Sequence, residues 1–346
     1  MRLFGRKSEP AKPEELIADF WAWWDDTRPQ VDALVEAGDA AGLADLVGPA
    51  VSALDPSLLW EVEPGRLAQH SLVVSASGNP ELRSFAHRWA LAAPEGDESW
   101  EFHPSRQPLP PGTEISVDVN GHDFGLDGLV FGLRVPPGTP RVDIAAYHPI
   151  FQDIDDDTRL ETTLLALDWL LGEDEVARWV GDIVAAEFEP IDAVPAIHLP
   201  AVVADVADGF QDEQWAFLEG QTAAGKPLTA TARYPLRPVD HPLLDQHVAV
   251  TLPYGHADAD GQPTEASVEA LRDFEERLTA HLAKSPTAVL VAQISAEGAR
   301  VIHVYADPGG ETVAELKELA ATWQEGKARV DAELDPSWSA VAPFLS

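Results

Sequence analysis

The spacing of hydrophobic and polar positions changes several times between His247 and Leu334. Apolar and polar positions alternate at Val248–Leu252, which predicts a strand, and apolar positions recur every three or four residues at 264–283, which predicts a helix. Two β-like runs around Glu297-Gly298 then predict a hairpin, and a second helix and a last strand follow it. The predicted order is therefore strand, helix, strand, strand, helix, strand.

The rest of the chain also contains both strand-like alternation and helical spacing of apolar residues. Helices are predicted from Pro13 to Val31, from Asp39 to Leu54, from Asn79 to Pro94, from Asp155 to Gly172, and through Trp179 and Ile183. Strands are predicted at Leu58–Val62, Ser71–Ser75 and Trp100–His103, as an antiparallel meander at Ile115–Val119, Leu129–Val135 and Val142–Ala146, and as a hairpin at Trp215–Glu219 and Thr229–Tyr234.

These patterns predict an α+β protein with two sheet-and-helix sandwich domains. A chain of 346 residues exceeds the usual size of one hydrophobic core, and three prolines interrupt the pattern at 190–200. We therefore expect a loose tail at 1–12, a first α+β domain at 13–192 and a second domain at 193–346. In the second domain a helix and a hairpin precede the βαββαβ unit, whose order is that of a ferredoxin-like fold. That fold supports many functions, so it leaves function open.

Charge and composition narrow the function classes. The formal net charge is −36, and there is no cysteine. Thiol nucleophiles, disulfides and cysteine metal sites are thereby excluded. A surface this negative disfavours direct nucleic-acid binding and favours docking onto a basic protein, although the charge can also serve solubility alone.

The sequence also bears on localisation. The first residues carry charge without the apolar stretch of a signal peptide, and no later run is long and apolar enough to span a membrane. We therefore expect a cytoplasmic protein without membrane contact. The sequence does not predict an oligomeric state.

The C-terminal half resembles a known family of bacterial proteins. The resemblance rests on Val248–Pro253, on Asp260-Gly-Gln-Pro-Thr264 and on the ending from Ala306 to Asp335-Pro-Ser-Trp338, and it covers about residues 195–346. The chain is similar here to the domain of unknown function 695 family. That family in turn resembles the regulator of ribonuclease E activity B family, whose members are small acidic ferredoxin-like proteins that bind another protein and have no catalysis of their own. The resemblance therefore implies a non-catalytic binding protein.

The N-terminal half resembles an uncharacterised bacterial segment found beside such domains. Its carriers are Phe20-Trp-Ala-Trp-Trp24, Val74-Ser-Ala-Ser-Gly78 and Ala93-Pro94. These residues form turns, caps and cores. They indicate a fold and supply no catalytic group.

The most metal-like stretch is His256-Ala-Asp-Ala-Asp260. Alternate positions in a loop can direct one imidazole and two carboxylates at a cation, so His256, Asp258 and Asp260 are candidate ligand or ion contacts. The stretch fails as an EF-hand because its first position is not a carboxylate and its twelfth is Ser267. A solvated loop before a helix is the alternative.

Other candidate chemistry is weaker. His241, His247 and His256 lie near Asp240 and Asp245, where a carboxylate could orient a basic imidazole. No serine stands in a Gly-x-Ser-x-Gly motif, and Gly225-Lys226 is followed by proline instead of the serine or threonine of a phosphate loop. The sequence thus predicts no catalytic residue, metal site or cofactor.

Trp23 is the candidate partner contact. Phe20 and Trp24 share one row of the predicted helix, so Trp23 is expected to face outward.

Three functions stay open. A non-enzymatic acidic regulatory protein with a basic protein partner is preferred; an enzyme or ion-binding protein using His241–Asp260 and an immunity or inhibitor protein that mimics nucleic-acid charge are the alternatives.

Overall fold

The structure, a computed structural model, describes residues 12–346 except 111, 212, 213 and 285. The chain divides into two compact units, Met1–Arg106 and Gln107–Ser346. Helices and strands occur together in several sheets, so the predicted α+β class is confirmed. Of the predicted tail at 1–12, only Lys12 lies within the described residues.

The first unit is a small sheet with three helices. Its elements are α1 (Pro13–Ala37), α2 (Ala40–Leu54), β1 (Leu59–Pro64), β2 (His70–Ser75), α3 (Pro80–Leu91) and β3 (Trp100–His103). Strand β2 pairs antiparallel with β1 and parallel with β3. Helix α3 begins where predicted, because the Asn79 side chain accepts a hydrogen bond from the backbone N–H of Glu81 at 3.0 Å. Aromatic side chains fill the core, with Trp24, Trp89 and Trp100 fully buried.

The second unit begins with two separate sheets. Its first elements are β4 (Ser116–Val119), β5 (His122–Gly125), β6 (Val130–Arg134), β7 (Val142–Tyr147), α4 (Asp156–Leu171), α5 (Glu173–Trp179), β8 (Val180–Ala185), β9 (Val194–Pro195) and α6 (Leu199–Asp208). Strands β4 and β5 form one sheet, and the other has the order β8-β7-β6-β9.

Two predictions for this region are wrong. Strand β4 pairs with β5 instead of joining β6 and β7 in one meander, because a tight turn at Gly121 brings His122–Gly125 alongside it. Ile183 is not helical: α5 ends at Trp179, and the following residues form β8, parallel to β7. The β-branched residues Val180, Ile183 and Val184 favour that strand.

The predicted boundary at 190–200 lies inside the second unit. Strand β9 pairs with β6, and Leu199 and Val203 of α6 pack in the same core as Phe131. Pro200 lies in the first turn of α6, where a proline starts a helix instead of marking a linker. Residues 13–192 consequently contribute to two hydrophobic cores, one in each unit.

The remaining elements form a six-stranded sheet with two helices. They are β10 (Gln214–Gln221), β11 (Pro227–Tyr234), β12 (Gln246–Pro253), α7 (Glu265–Leu282), β13 (Ala288–Ala296), β14 (Ala299–Ala306), α8 (Thr312–Ala320) and β15 (Arg329–Leu334). The order is β10-β11-β13-β14-β12-β15, and all neighbours are antiparallel. The predicted order of elements from 246 to 334 is present.

The two faces of this sheet have different cores. Alternate residues of β12 and β14, such as Val248 and Val304, pack against α7 and α8. On the opposite face Tyr305 packs with Trp338 and Val341, which belong to the segment after β15.

Short 3₁₀ helices occur at Pro149–Gln152, Ala196–His198, Pro238–Asp240 and Ser339–Phe344. Within the described ranges, no helix has both the length and the apolar character needed to cross a membrane.

Candidate functional site

The loop that contains His256, Asp258 and Asp260 is exposed and closed by its own hydrogen bonds. Asp258 Oδ1 accepts hydrogen bonds from the backbone N–H groups of Asp260 and Gln262, both at 2.9 Å. The backbone carbonyl of His256 accepts the N–H and the hydroxyl of Thr264 at 2.8 and 3.0 Å. Asp258 thus shapes the turn before α7.

These three side chains are not gathered around a common point. Among the residues that the structure describes, no group of three or more His, Asp or Glu side chains could hold a metal ion. Thr264 occupies the predicted cap position of α7, but its hydroxyl bonds to His256 instead of capping the helix. A ligand contact at this loop stays a prediction.

Trp23 is partly buried in the first unit. Its ring lies 5.4 Å from Phe20 and 6.3 Å from Trp24 between centroids, at the margin of a core in which Phe20, Trp21 and Trp24 are buried. It is therefore the most exposed of the three tryptophans on α1, as the helical spacing predicts.

Two buried histidines meet on the sheet face opposite α7 and α8. His247 on β12 and His303 on β14 stack with ring centroids 5.1 Å apart, and His247 Nε2 lies 2.9 Å from His303 Nδ1. This hydrogen bond needs one ring to donate and the other to accept, so the two rings cannot both be protonated. His303 Nε2 is buried and has no hydrogen-bond partner in the part of the chain described.

A polar and aromatic cluster continues from this pair. The Tyr305 hydroxyl donates to Asp335 Oδ2 at 2.6 Å, and Asp335 also accepts the backbone N–H groups of Ser339 and Ala340. The Trp338 ring stacks on Tyr305 with centroids 3.9 Å apart, and its indole N–H donates to the Leu244 carbonyl at 2.9 Å. The Asp335-Pro-Ser-Trp338 sequence thereby anchors the end of the chain to the sheet.

Burial and hydrogen bonding set the protonation states of this cluster. Burial, with His247 nearby, lowers the pKa of His303 to about 4, and burial also lowers the pKa of His247. Burial and the bond to Asp335 raise the pKa of Tyr305. Burial opposes ionisation of Asp335, but the hydrogen bonds from Tyr305, Ser339 and Ala340 outweigh it and lower its pKa. These directions describe a neutral pair beside an ionised carboxylate.

We expect the second unit to lose stability as the pH falls from about 6.5 to 4. An unfolded histidine takes up a proton near pH 6.5, whereas His303 does so only near pH 4, so the unfolded state binds more protons in this window. The free energy of unfolding should fall by about 3 kcal/mol and then level off as far as this group is concerned. Denaturant titrations at several pH values measure this change.

His303→Gln should flatten this pH dependence, whereas His281→Gln on α7 serves as a matched control at a more exposed histidine. His247 contributes in the same direction, because its pKa is also lowered, and Glu333 Oε1 at 3.8 Å from His247 Nδ1 only moderates this effect. An equal pH slope in the native chain and the His303 variant would contradict the assignment.

A groove of about 910 Å³ lies on the α7 side of the sheet. We call it the α7 groove; its lining includes Trp215, Thr231, Arg233, Glu276, Ala280 and Leu290. It forms because the sheet extends through β11 and β10 beyond the strands that α7 and α8 pack against. Its volume is in the range of sites that bind small molecules or side chains of a partner.

Charged and aromatic groups lie together along this groove. Arg233 Nε donates to the Leu290 carbonyl at 2.8 Å, and its guanidinium carbon lies 5.8 Å from the Trp215 ring centroid. Arg272 and Glu276 on α7 are 3.8 Å apart and largely exposed. The outer wall is β10, where Trp215 is 42% and Phe217 is 64% exposed. The groove therefore offers apolar surface and both signs of charge.

Sequence reasoning missed the groove and half of the histidine pair. His247 was among the candidate bases, but its partner His303 stands 56 residues away. The alternation that places His303 and Tyr305 on one face of β14 is a usable signal, since β12 and β14 are central strands of the predicted βαββαβ unit. The groove depends on where α7 ends relative to β10, which no local pattern predicts.

Comparisons with known proteins inform only the C-terminal part. The searches against curated proteins and against solved structures each found no match. Residues 226–346, which run from the turn between β10 and β11 to the last residue, match the model of the Family of unknown function (DUF695), which confirms the predicted resemblance for this part of the chain.

Proposed function

We propose that the chain is a cytoplasmic, non-enzymatic protein that binds a basic protein partner in the α7 groove. The observation that carries this proposal is the open groove beside two exposed aromatic side chains, Trp215 and Phe217. Aromatic residues supply much contact area with few torsions to restrict, and they concentrate at binding surfaces. The histidine cluster is a weaker candidate because it is buried within the fold.

Charge supports a basic partner. The net charge of −36 steers positively charged proteins toward the chain, and steering weakens with salt. Glu276 on α7 is an exposed carboxylate that lines the groove, and Glu219 is an exposed carboxylate on β10, the strand that forms its outer wall. A partner with lysine or arginine near an apolar side chain fits both the exposed carboxylates and the exposed aromatic rings.

Filling the groove should remove binding. Ala280 lies on the exposed side of α7 and lines the groove, so Ala280→Trp inserts a bulky ring into it. Ala266→Trp is the control, because it makes the same change at an exposed position near the start of α7, outside the lining residues. Proteins captured from a lysate of the source cells should be retained by the native chain and the Ala266 variant and lost by the Ala280 variant.

Salt separates a specific basic partner from general adhesion to an acidic surface. Capture should weaken from low to moderate salt and yet stay dependent on residue 280 at both concentrations. Equal capture by both tryptophan variants, or binding that does not respond to salt, would contradict a basic partner in the α7 groove.

A further inference from the structure

The two edges of the six-stranded sheet differ in protection. Strand β15 carries Arg329, Asp331 and Glu333 at alternate positions along one edge. Strand β10 at the other edge has the sequence Gln-Trp-Ala-Phe-Leu-Glu-Gly-Gln, with a single charged residue, and pairs with β11 in continuous register without a bulge. Edge strands are usually protected by charges, prolines or bulges against pairing with another chain. Strand β10 has neither a proline nor a bulge, and Glu219 is its single charge.

The register shows which backbone groups point out of the sheet. Thr222 N donates to Lys226 O at 2.8 Å, and Gln221 lies opposite Pro227, which has no N–H to donate. Hydrogen-bonded and non-hydrogen-bonded pairs alternate along an antiparallel ladder. The N–H and C=O groups of even-numbered residues therefore point to β11, and those of Phe217 and Glu219 point to the open edge.

We infer that an extended segment of the basic partner adds to β10 as a further strand. This inference rests on the proposed function and names how its partner binds. The outward backbone groups of Phe217 and Glu219 supply the hydrogen bonds, and alternate side chains of the added strand lie on the same face as the α7 groove.

The side chains of β10 indicate the sequence of that segment. Directly opposed residues in a sheet have Cβ atoms about 5 Å apart, so an apolar residue fits opposite Phe217 and a lysine or arginine fits opposite Glu219. A segment with an apolar residue and a basic residue two positions apart meets both conditions, because residues i and i+2 of a strand lie on the same face. A second copy of the chain fits less well, because each copy carries a net charge of −36.

Proline substitutions test the backbone role of the edge. Phe217→Pro removes an outward N–H and leaves the hydrogen bonds between β10 and β11 in place, and proline is tolerated at such edge positions. Glu219→Pro repeats the test at the next outward residue. Phe217→Thr is the matched control, because it removes the ring and keeps the N–H. Thermal melting of the full chain verifies that each variant folds.

The probe is a peptide selected from a display library of random 12-residue sequences on the full native chain. Both proline variants should weaken its binding about tenfold, and Phe217→Thr about threefold. Single N-methyl groups along the peptide should block binding at every second position. No enriched sequence, N-methyl effects without this period, or native affinity in both folded proline variants would overturn strand addition.

The outcomes also separate this inference from the proposed function. If Ala280→Trp abolishes binding of peptide and partner while the proline variants bind normally, strand addition is wrong and the groove proposal stands. If neither Ala280→Trp nor the proline variants affect binding, both the groove proposal and strand addition are wrong. A native dimer in light scattering that Phe217→Pro converts to monomer would assign the edge to a second copy and overturn the inference.

Discussion

Replacing Trp338 with alanine is expected to lower the free energy of unfolding of the second unit by about 4 kcal/mol. The side chain is only 1% exposed, stacks on Tyr305, and donates its indole N–H to the Leu244 carbonyl. Its removal leaves a cavity between the sheet and the 3₁₀ helix at Ser339–Phe344, and a buried carbonyl loses its donor. Denaturant titration of the full chain measures the change.

Trp338→Phe is the matched variant. It keeps an aromatic ring over Tyr305 and loses the indole N–H, so we expect a cost of about 1–2 kcal/mol. Hydrogen exchange of the β14 amides locates the effect within the second unit. A loss below about 1 kcal/mol for the alanine variant would show that the last segment contributes little to this face of the sheet.

The sequence predicts the C-terminal fold well because local signals there agree with tertiary packing. The apolar positions Leu271, Phe274 and Leu278 recur at helical spacing and are buried in α7, and the turn at Glu297-Gly298 uses two residues with positive φ. Prediction fails where the local signals point both ways. Val180–Ala185 directly follows a helix, and although its β-branched residues favour a strand, its pairing with β7 decides the outcome.

The candidate site could be predicted only in part. Trp23 and the 256–260 loop are local features. The partial burial of Trp23 follows from the helical spacing, and the exposure of the loop follows from its turn residues. The histidine pair and the α7 groove arise from residues far apart in the sequence, such as His247 with His303 or Trp215 with Ala280. Strand order decides these contacts, and a single sequence does not fix strand order locally.

The tryptophans of α1 allow packing to be separated from partner contact in the first unit. Trp24 is 1% exposed and makes edge-on contacts with Trp100 and Phe102, at centroid distances of 5.1 and 5.5 Å, so Trp24→Ala should cost about 4 kcal/mol. Trp23→Ala should cost only about 1 kcal/mol, because its ring lies at the margin of the same core. Hydrogen exchange of the β2 and β3 amides measures both changes within this unit.

The same pair of variants tests Trp23 as a partner contact. Because Trp23→Ala should leave the first unit folded, any loss of partner capture by this variant reports a lost contact and not unfolding. Unchanged capture would assign Trp23 to packing alone and leave the α7 groove as the proposed binding surface. A stability loss for Trp23→Ala as large as that for Trp24→Ala would contradict its marginal position, and the capture experiment would then need Trp23→Phe, which keeps the ring contact with Phe20.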